Sequence, residues 1–143
     1  MKLTLANHYL QPATNLLNEM KLAGAASRAR TRLIRLLAPH LEAVQEAEYE
    51  LVTEHAISGE DTKPVIADDG SFTLKDAEHA ATYIAERDAL FAEIAQVEGG
   101  TYEGHRQACI DLLTSYDGQL SGTNADAYDA LLTALEEGDG DGQ

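Results

Sequence analysis

The chain has no tryptophan, two phenylalanines and six tyrosines among its 143 residues. With so few large rings, a core drawn from its 44% hydrophobic residues must be built mostly from Leu, Ile, Val and Ala, which suits helices packed closely through small side chains. The single cysteine, Cys109, excludes an intrachain disulfide and is the usage expected in a reducing compartment. No apolar run approaches the roughly 20 residues that a bilayer span requires, because Asp, Glu, Arg or Gly interrupts each one. Nor does the N-terminus combine the charged start, apolar stretch and small-residue cleavage site of a secretory signal. These absences lead to the expectation of a cytoplasmic protein, or one inside a particle assembled there, with no membrane partner.

Positive charge is scarce and unevenly placed. Ten Lys and Arg face 25 Asp and Glu, for a net charge of -15. Residues 1–41 carry six basic residues against one acid, Glu19, a balance of +5, whereas residues 42–143 carry four against 24, a balance of -20. So acidic a surface disfavours nucleic acid and anionic membrane. It accommodates a cationic protein partner, or a second copy docking basic end to acidic body.

What is present is helical periodicity. Leu3 and Leu5 alternate with Lys2 and Thr4 within Met1 to Ala6, the period of a short half-buried strand. Ala13, Leu16, Leu17 and Met20 then recur at helical spacing between Tyr9 and Leu22, with Pro12 in a first turn that tolerates it. Gly24 is a natural stop and Ser27 a natural N-cap for the next helix. The longest periodic stretch runs from Arg28 to about Ile57 through Leu33, Ile34, Leu37, Leu41, Val44, Ala47 and Leu51. Pro39 predicts a kink near Leu36, or a break with a new helix from Pro39.

The run Pro64 to Lys75 reads as a small β-hairpin, with strands at Pro64 to Ala67 and Ser71 to Lys75 around Asp68-Asp69-Gly70. Asp76 caps a third helix whose apolar side, Ala80, Tyr83, Ile84, Leu90, Phe91, Ile94 and Val97, extends to the break at Gly99-Gly100. Helix, hairpin and helix together make a long antiparallel arm. Two shorter helices follow, around Cys109, Ile110, Leu112, Leu113 and Tyr116 and around Ala125, Tyr128, Leu131, Leu132 and Leu135. The fold class is therefore mainly α, a helical bundle with a long antiparallel helical arm, one short N-terminal strand and a small hairpin. Residues 1–137 form a single helical domain on this reading, and 138–143 a mobile acidic tail.

Templates for chemistry fail on spacing. His8, His40, His55, His79 and His105 are dispersed, with no i, i+4 pair to hold zinc on one helix. The acidic turns ADDGS and GDGDG lack the ligand positions and closing Glu of a calcium loop. GxGxxG, GxxxxGK[ST] and GxSxG are absent, and Gly99-Gly100 lacks a preceding strand that would make it a phosphate cradle. Cys109 sits among apolar positions and reads as a buried structural thiol. Catalytic, cofactor and metal residues are thus expected to be none, and the chain is expected not to be an enzyme.

One segment stands out, SRARTRLIRLL at residues 27–37. On a helix, Arg28, Arg32 and Arg35 fall within about 60° of one another, while Arg30 points toward the side of Leu33, Ile34 and Leu37. The three-arginine stripe suits carboxylates of a partner, phosphate or a helix C-terminus; its bland reading is a solvated face balanced by the protein's own acids. Arg30 either reaches out to solvent or pairs internally. A long helix and an arm in so short a chain leave apolar seams that predict self-association, as a homo-oligomer.

The opening MKLTLANHYL, the stretch NLLNEMKLAGAASRARTRLIRLL and the closing YDGQLSGTNADAYDALL resemble a family of small proteins of unknown function encoded by phages and prophages of Gram-positive bacteria. The most specific pieces are Ser27 to Arg32 and Tyr116 to Gly122; the middle of the chain, with Pro39 and an alanine-rich third helix, departs from the family's more Lys- and Glu-rich pattern. The resemblance implies a viral accessory protein in the host cytoplasm or associated with the virion, and carries over no catalytic residue. Two functions follow as expectations. The first is a non-enzymatic interaction or assembly protein that self-associates and uses Arg28, Arg32 and Arg35 for a contact. The second is an acidic inhibitor that blocks a basic host nucleic-acid-binding or defence protein.

Overall fold

The computed structural model describes residues 1–138; of the expected acidic tail only Gly138 is among them, and the rest lies outside the described residues. Among these, two strands and five helices follow in the order β1 (Lys2–Ala6), α1 (Asn7–Glu19), α2 (Gly24–His55), α3 (Ala77–Ala92), β2 (Ile94–Glu98), α4 (His105–Thr114) and α5 (Gly122–Glu137). The protein is mainly helical with a short antiparallel pair of strands, the expected class. No helix among the described residues is long and apolar enough to cross a membrane.

Internal contacts group the chain into two compact units. One comprises Met1–Leu41 together with the chain from Ile94 onward, and the other is Glu42–Glu93. Helix α2 contributes its first part to one and its last part to the other.

In the first unit, alternation in β1 buries Leu3 and Leu5 and exposes Lys2 and Thr4. Its partner is β2, antiparallel, with Leu3 opposite Val97 and Lys2 opposite Glu98. This corrects the expectation that the third helix continues to Gly99. That helix ends at Ala92, the Glu93 N–H closing on the Leu90 carbonyl, and Ile94 and Val97 belong to a strand. β-Branched residues suit a pleat, and pairing with β1 serves backbone groups that a longer helix would have served internally.

Helix α1 begins at Asn7, two residues earlier than the periodicity suggests, so Pro12 lies inside it rather than in its first turn. Gly24 and Ser27 are also corrected. Gly24, with φ +58°, opens α2 instead of closing α1, and Ser27 sits within the first turn. The core is aliphatic, as the shortage of rings requires: Leu10, Leu16, Leu17, Leu33, Leu37, Leu113, Leu131 and Leu135 are each at most 1% exposed. Complete burial of one such side chain is worth roughly 1.5–3 kcal/mol. Helix α5 packs on α1, α4 and β1, and the Tyr128 hydroxyl donates to the Leu113 carbonyl. Cys109 is buried beside Ala29, its Sγ 3.8 Å from that residue's carbonyl oxygen.

The Gly99-Gly100 pair does have a strand before it, contrary to the sequence reading. Packing accounts for Gly99 nevertheless: a Cβ there would meet Leu36 Cδ2 at 2.2 Å, so the glycine lets the strand end close on α2. His105, wholly buried at the start of α4, places Nε2 2.8 Å from the Ala29 carbonyl oxygen and Nδ1 2.8 Å from Thr101 Oγ1. A carbonyl can only accept, so Nε2 carries a proton and this ring is a structural crosslink.

The second unit consists of the end of α2, a folded loop and α3. Helix α2 runs through Pro39 without the expected alternative of a break. Pro39 denies a donor to the Arg35 carbonyl four residues back, but both residues are exposed, where water can serve that carbonyl. Contacts of His55 with His79 and of Glu48 with Arg87 show α2 and α3 running antiparallel, as the arm reading requires.

Between them the chain reverses at Asp68-Asp69-Gly70. The Gly70 and Ser71 region closes on Ala67, with Gly70 N–H donating to the Ala67 carbonyl and Ala67 N–H to that of Ser71, both at 2.8 Å. Gly70 has φ +84°, a conformation that glycine adopts without strain. The flanks of this reversal do not form a continuous ladder with each other. They bridge instead to the residues just after α2, Leu74 to Ala56 and Pro64 to Ser58, because Pro64 and its neighbours find unserved backbone groups there. Asp76 caps α3 as expected, its Oδ1 accepting from His79 N–H at 2.7 Å. The buried core of this unit is small: Val52, Ala56 and Tyr83 with Leu51, Phe72 and Leu74 packed against them.

Candidate functional site

The arginine-rich start of α2 divides into two jobs. Arg30, two residues from Arg28 and Arg32 and so on the opposite face of the helix, turns inward. Its Nη1 donates to the carbonyls of Leu17 at 2.9 Å and Met20 at 2.8 Å, and its Nη2 to Ser27 Oγ at 3.3 Å. The last carbonyls of α1 carry the negative end of that helix and lack intrahelical donors, and α1 has no basic residue in its own last turn. Arg30 supplies that charge from the next helix, the internal pairing with carbonyls in place of a carboxylate.

Arg28, Arg32 and Arg35 take the other face. Arg28 and Arg35 are exposed and Arg32 half-buried. The Arg28 guanidinium lies 5.5 Å from the centroid of the Tyr102 ring, a cation–π contact at the stripe's first position. Among the described residues none of the three forms an ion pair with a carboxylate. The idea that the stripe is balanced locally by the protein's own acids therefore has no ion pair behind it.

In the second unit, α2 and α3 border an open groove of about 300 Å³ lined by Ala47, Glu50, Leu51, Glu54, Glu86, Ala89, Leu90 and Glu93. Its floor is apolar and its rim carries four exposed glutamates. Away from the groove lining, the unit leaves large apolar side chains in water: Tyr49 is 48% exposed, Ile57 45%, Val65 56%, Ile66 45% and Ile84 57%.

At the end of the groove lies an arrangement that sequence reading missed. His55, only 3% exposed, has Nε2 3.1 Å from Glu86 Oε2 and 3.9 Å from Glu54 Oε2. Its other nitrogen, Nδ1, is 2.9 Å from Nδ1 of His79. The His55 ring also stands edge-on to Tyr83, centroids 6.3 Å apart. Glu54, His55 and Glu86 each offer one ligand atom, all within 4.8 Å of one another. A search for histidine pairs on one helix could not find this set, since its members are 24 and 31 residues apart. The signal was the antiparallel arm itself, which places residues shortly before the loop opposite those shortly after it.

The titratable groups of the loop are fixed locally. The Ser71 hydroxyl and then its N–H, 2.6 and 2.9 Å from Asp69 Oδ1, hold the Asp69 carboxyl below the ordinary carboxylate range.

No family model, no curated protein and no solved structure matches the chain.

Proposed function

We propose that this protein is a non-enzymatic assembly protein, an accessory of a phage or prophage, that associates with itself by docking the Arg28, Arg32 and Arg35 stripe of one copy into the glutamate-rimmed groove of the next. One observation carries the reading: a three-arginine stripe with no carboxylate partner among the described residues and a four-glutamate groove with an apolar floor occur on the same chain. Guanidinium groups pair with carboxylates in fork geometry, and Leu51 and Leu90 offer apolar surface to the arginine stems. The segments that resemble phage and prophage proteins support the origin.

Such a contact joins two different surfaces. It is heterologous, so copies add head to tail until a ring closes or a filament grows. Opposed charge sets register and encounter rate, and the apolar floor at Leu51 and Leu90 supplies the water-excluding part of the contact.

Sedimentation velocity over a range of tens of micromolar downward tests this. The wild-type chain is expected to sediment faster with rising concentration, less so in high salt, and the variant R28E/R32E/R35E to remain a monomer. A wild-type monomer throughout the range contradicts the proposal.

The second reading, an acidic blocker of a basic host nucleic-acid-binding or defence protein, uses the same groove for a foreign arginine-bearing helix. It predicts a monomeric chain in which groove variants, and not stripe variants, lose affinity for a defined basic helical peptide.

A further inference from the structure

The geometry points to a binding site for a first-row divalent metal of the zinc class at Glu54, His55 and Glu86, with His79 as the positioning residue behind it. The ligand set is one imidazole nitrogen and two carboxylate oxygens, a donor chemistry that suits zinc and its neighbours better than calcium or magnesium, which favour oxygen alone. This goes beyond self-association and does not depend on it.

Three features raise this set above a cluster of surface acids. His55 is buried and held from both sides, so its Nε2 is aimed at the two carboxylates by packing. The two carboxylates flank the same nitrogen, yet one N–H can serve only one of them well, and Glu54 at 3.9 Å is beyond hydrogen-bond reach. Among the described residues no Lys or Arg forms an ion pair with either; Lys75 Nζ sits instead on the backbone carbonyl of Glu54 at 3.0 Å, and Arg87 pairs with Glu48. A divalent cation would relieve two like charges brought together on neighbouring helices.

The His55–His79 contact supplies what a metal-binding imidazole needs behind it. Two Nδ1 atoms 2.9 Å apart must share one proton. Without metal, His55 donates Nε2–H to Glu86 and accepts at Nδ1 from His79. With metal, the His55 Nε2 lone pair is given to the ion, the proton between the rings lies on His55 Nδ1 and is donated to His79, and His79 carries its own proton on Nε2. A ligating histidine that donates its second N–H to a fixed acceptor is the usual outer-shell arrangement of such sites.

Ligands at about 2.0–2.1 Å from a tetrahedral ion stand roughly 3.3 Å from one another. The observed spread of up to 4.8 Å closes to that by rotation of the two carboxylates, whose side chains are 66% and 46% exposed. The bound ion would clip the end of α2 to α3.

Titration of chelator-treated full-length protein with Zn²⁺, read by calorimetry and by melting temperature, tests the site. About one zinc per chain is expected, with a rise in melting temperature because the ion binds the folded form. Co²⁺ as a second probe is expected to give the visible absorption of a nitrogen- and oxygen-ligated ion. E54Q and E86Q, both at exposed side chains, are expected to keep the helical content and weaken zinc at least tenfold. H79A is expected to weaken it by about 10–100-fold through loss of the acceptor. E50Q, on the same groove but outside the ligand set, is expected to leave affinity unchanged. Absence of binding at tens of micromolar, or binding that E54Q and E86Q leave intact, would overturn the site. The R28E/R32E/R35E variant keeps zinc binding on this account, so failure of the assembly reading and failure of the metal site are separate results.

Discussion

The two units spend their apolar residues differently. Among the described residues, the unit of Met1–Leu41 and the chain from Ile94 onward sinks eight leucines to at most 1% exposure and leaves Ile94 as its one large apolar side chain in water, whereas Glu42–Glu93 buries little beyond Val44, Val52, Ala56 and Tyr83. The second unit leaves Tyr49, Ile57, Val65, Ile66 and Ile84 substantially in water. Loss of apolar burial is costly, so the Glu42–Glu93 unit has less of its own to hold it together. On the docking proposed above, the first unit supplies the arginine stripe and the second the glutamate groove.

Substitutions can break or sharpen this contrast. The largest effect is expected in the first unit: Leu131→Ala, at a fully buried position, should cost about 2–5 kcal/mol in denaturant unfolding, whereas Ile84→Ala in the second, 57% exposed, should stay within about 0.5 kcal/mol. Arg30→Ala comes next, at roughly 1.5–3 kcal/mol, since it removes charge-assisted hydrogen bonds to the end of α1. Arg35→Ala, on the exposed face, should leave unfolding within about 0.5 kcal/mol and lower self-association.

A further change acts within the Glu42–Glu93 unit. Asp76→Ala deletes the α3 cap and should cost about 1 kcal/mol, seen as faster amide exchange at the start of α3. The smallest effect is that of pH at Asp69. Its carboxyl titrates lower in the folded chain than in the unfolded one, so its contribution is present above the unfolded value and is lost as pH falls through the folded one. Protection of the Ser71 N–H, relative to its intrinsic exchange rate at each pH, should fall in that acid window and show no such step in Asp69→Ala.

Much of this contrast was readable from residues. Leu3 and Leu5 alternate cleanly, Asp76 announces α3, and Asp68-Asp69-Gly70 announces the reversal. Arg30 shows its separate job by standing on the apolar side of a helix whose other arginines do not. Strand β2 was not readable, because Ile94 and Val97 lie three apart, a spacing that continues a helical stripe as well as it begins a strand. Its partner β1 lies more than 90 residues away in sequence, and only that pairing decides the matter. Of the two alternatives that Pro39 offered, the break is not taken, because the cost of a helical proline depends on whether the freed carbonyl meets solvent, which composition does not reveal. The His55, His79, Glu54 and Glu86 set was hidden by distance along the chain, although the antiparallel arm contained the information that brings them together.

The most direct test of the central claim mixes two variants in sedimentation velocity. One has its stripe reversed, R28E/R32E/R35E; the other has its groove neutralised, E50Q/E54Q/E86Q/E93Q. Each alone is expected to remain monomeric, while the mixture forms one-to-one dimers and nothing larger, because only one stripe and one groove survive between them. A mixture that stays monomeric, or either variant assembling alone as the wild type does, would contradict head-to-tail docking of stripe and groove.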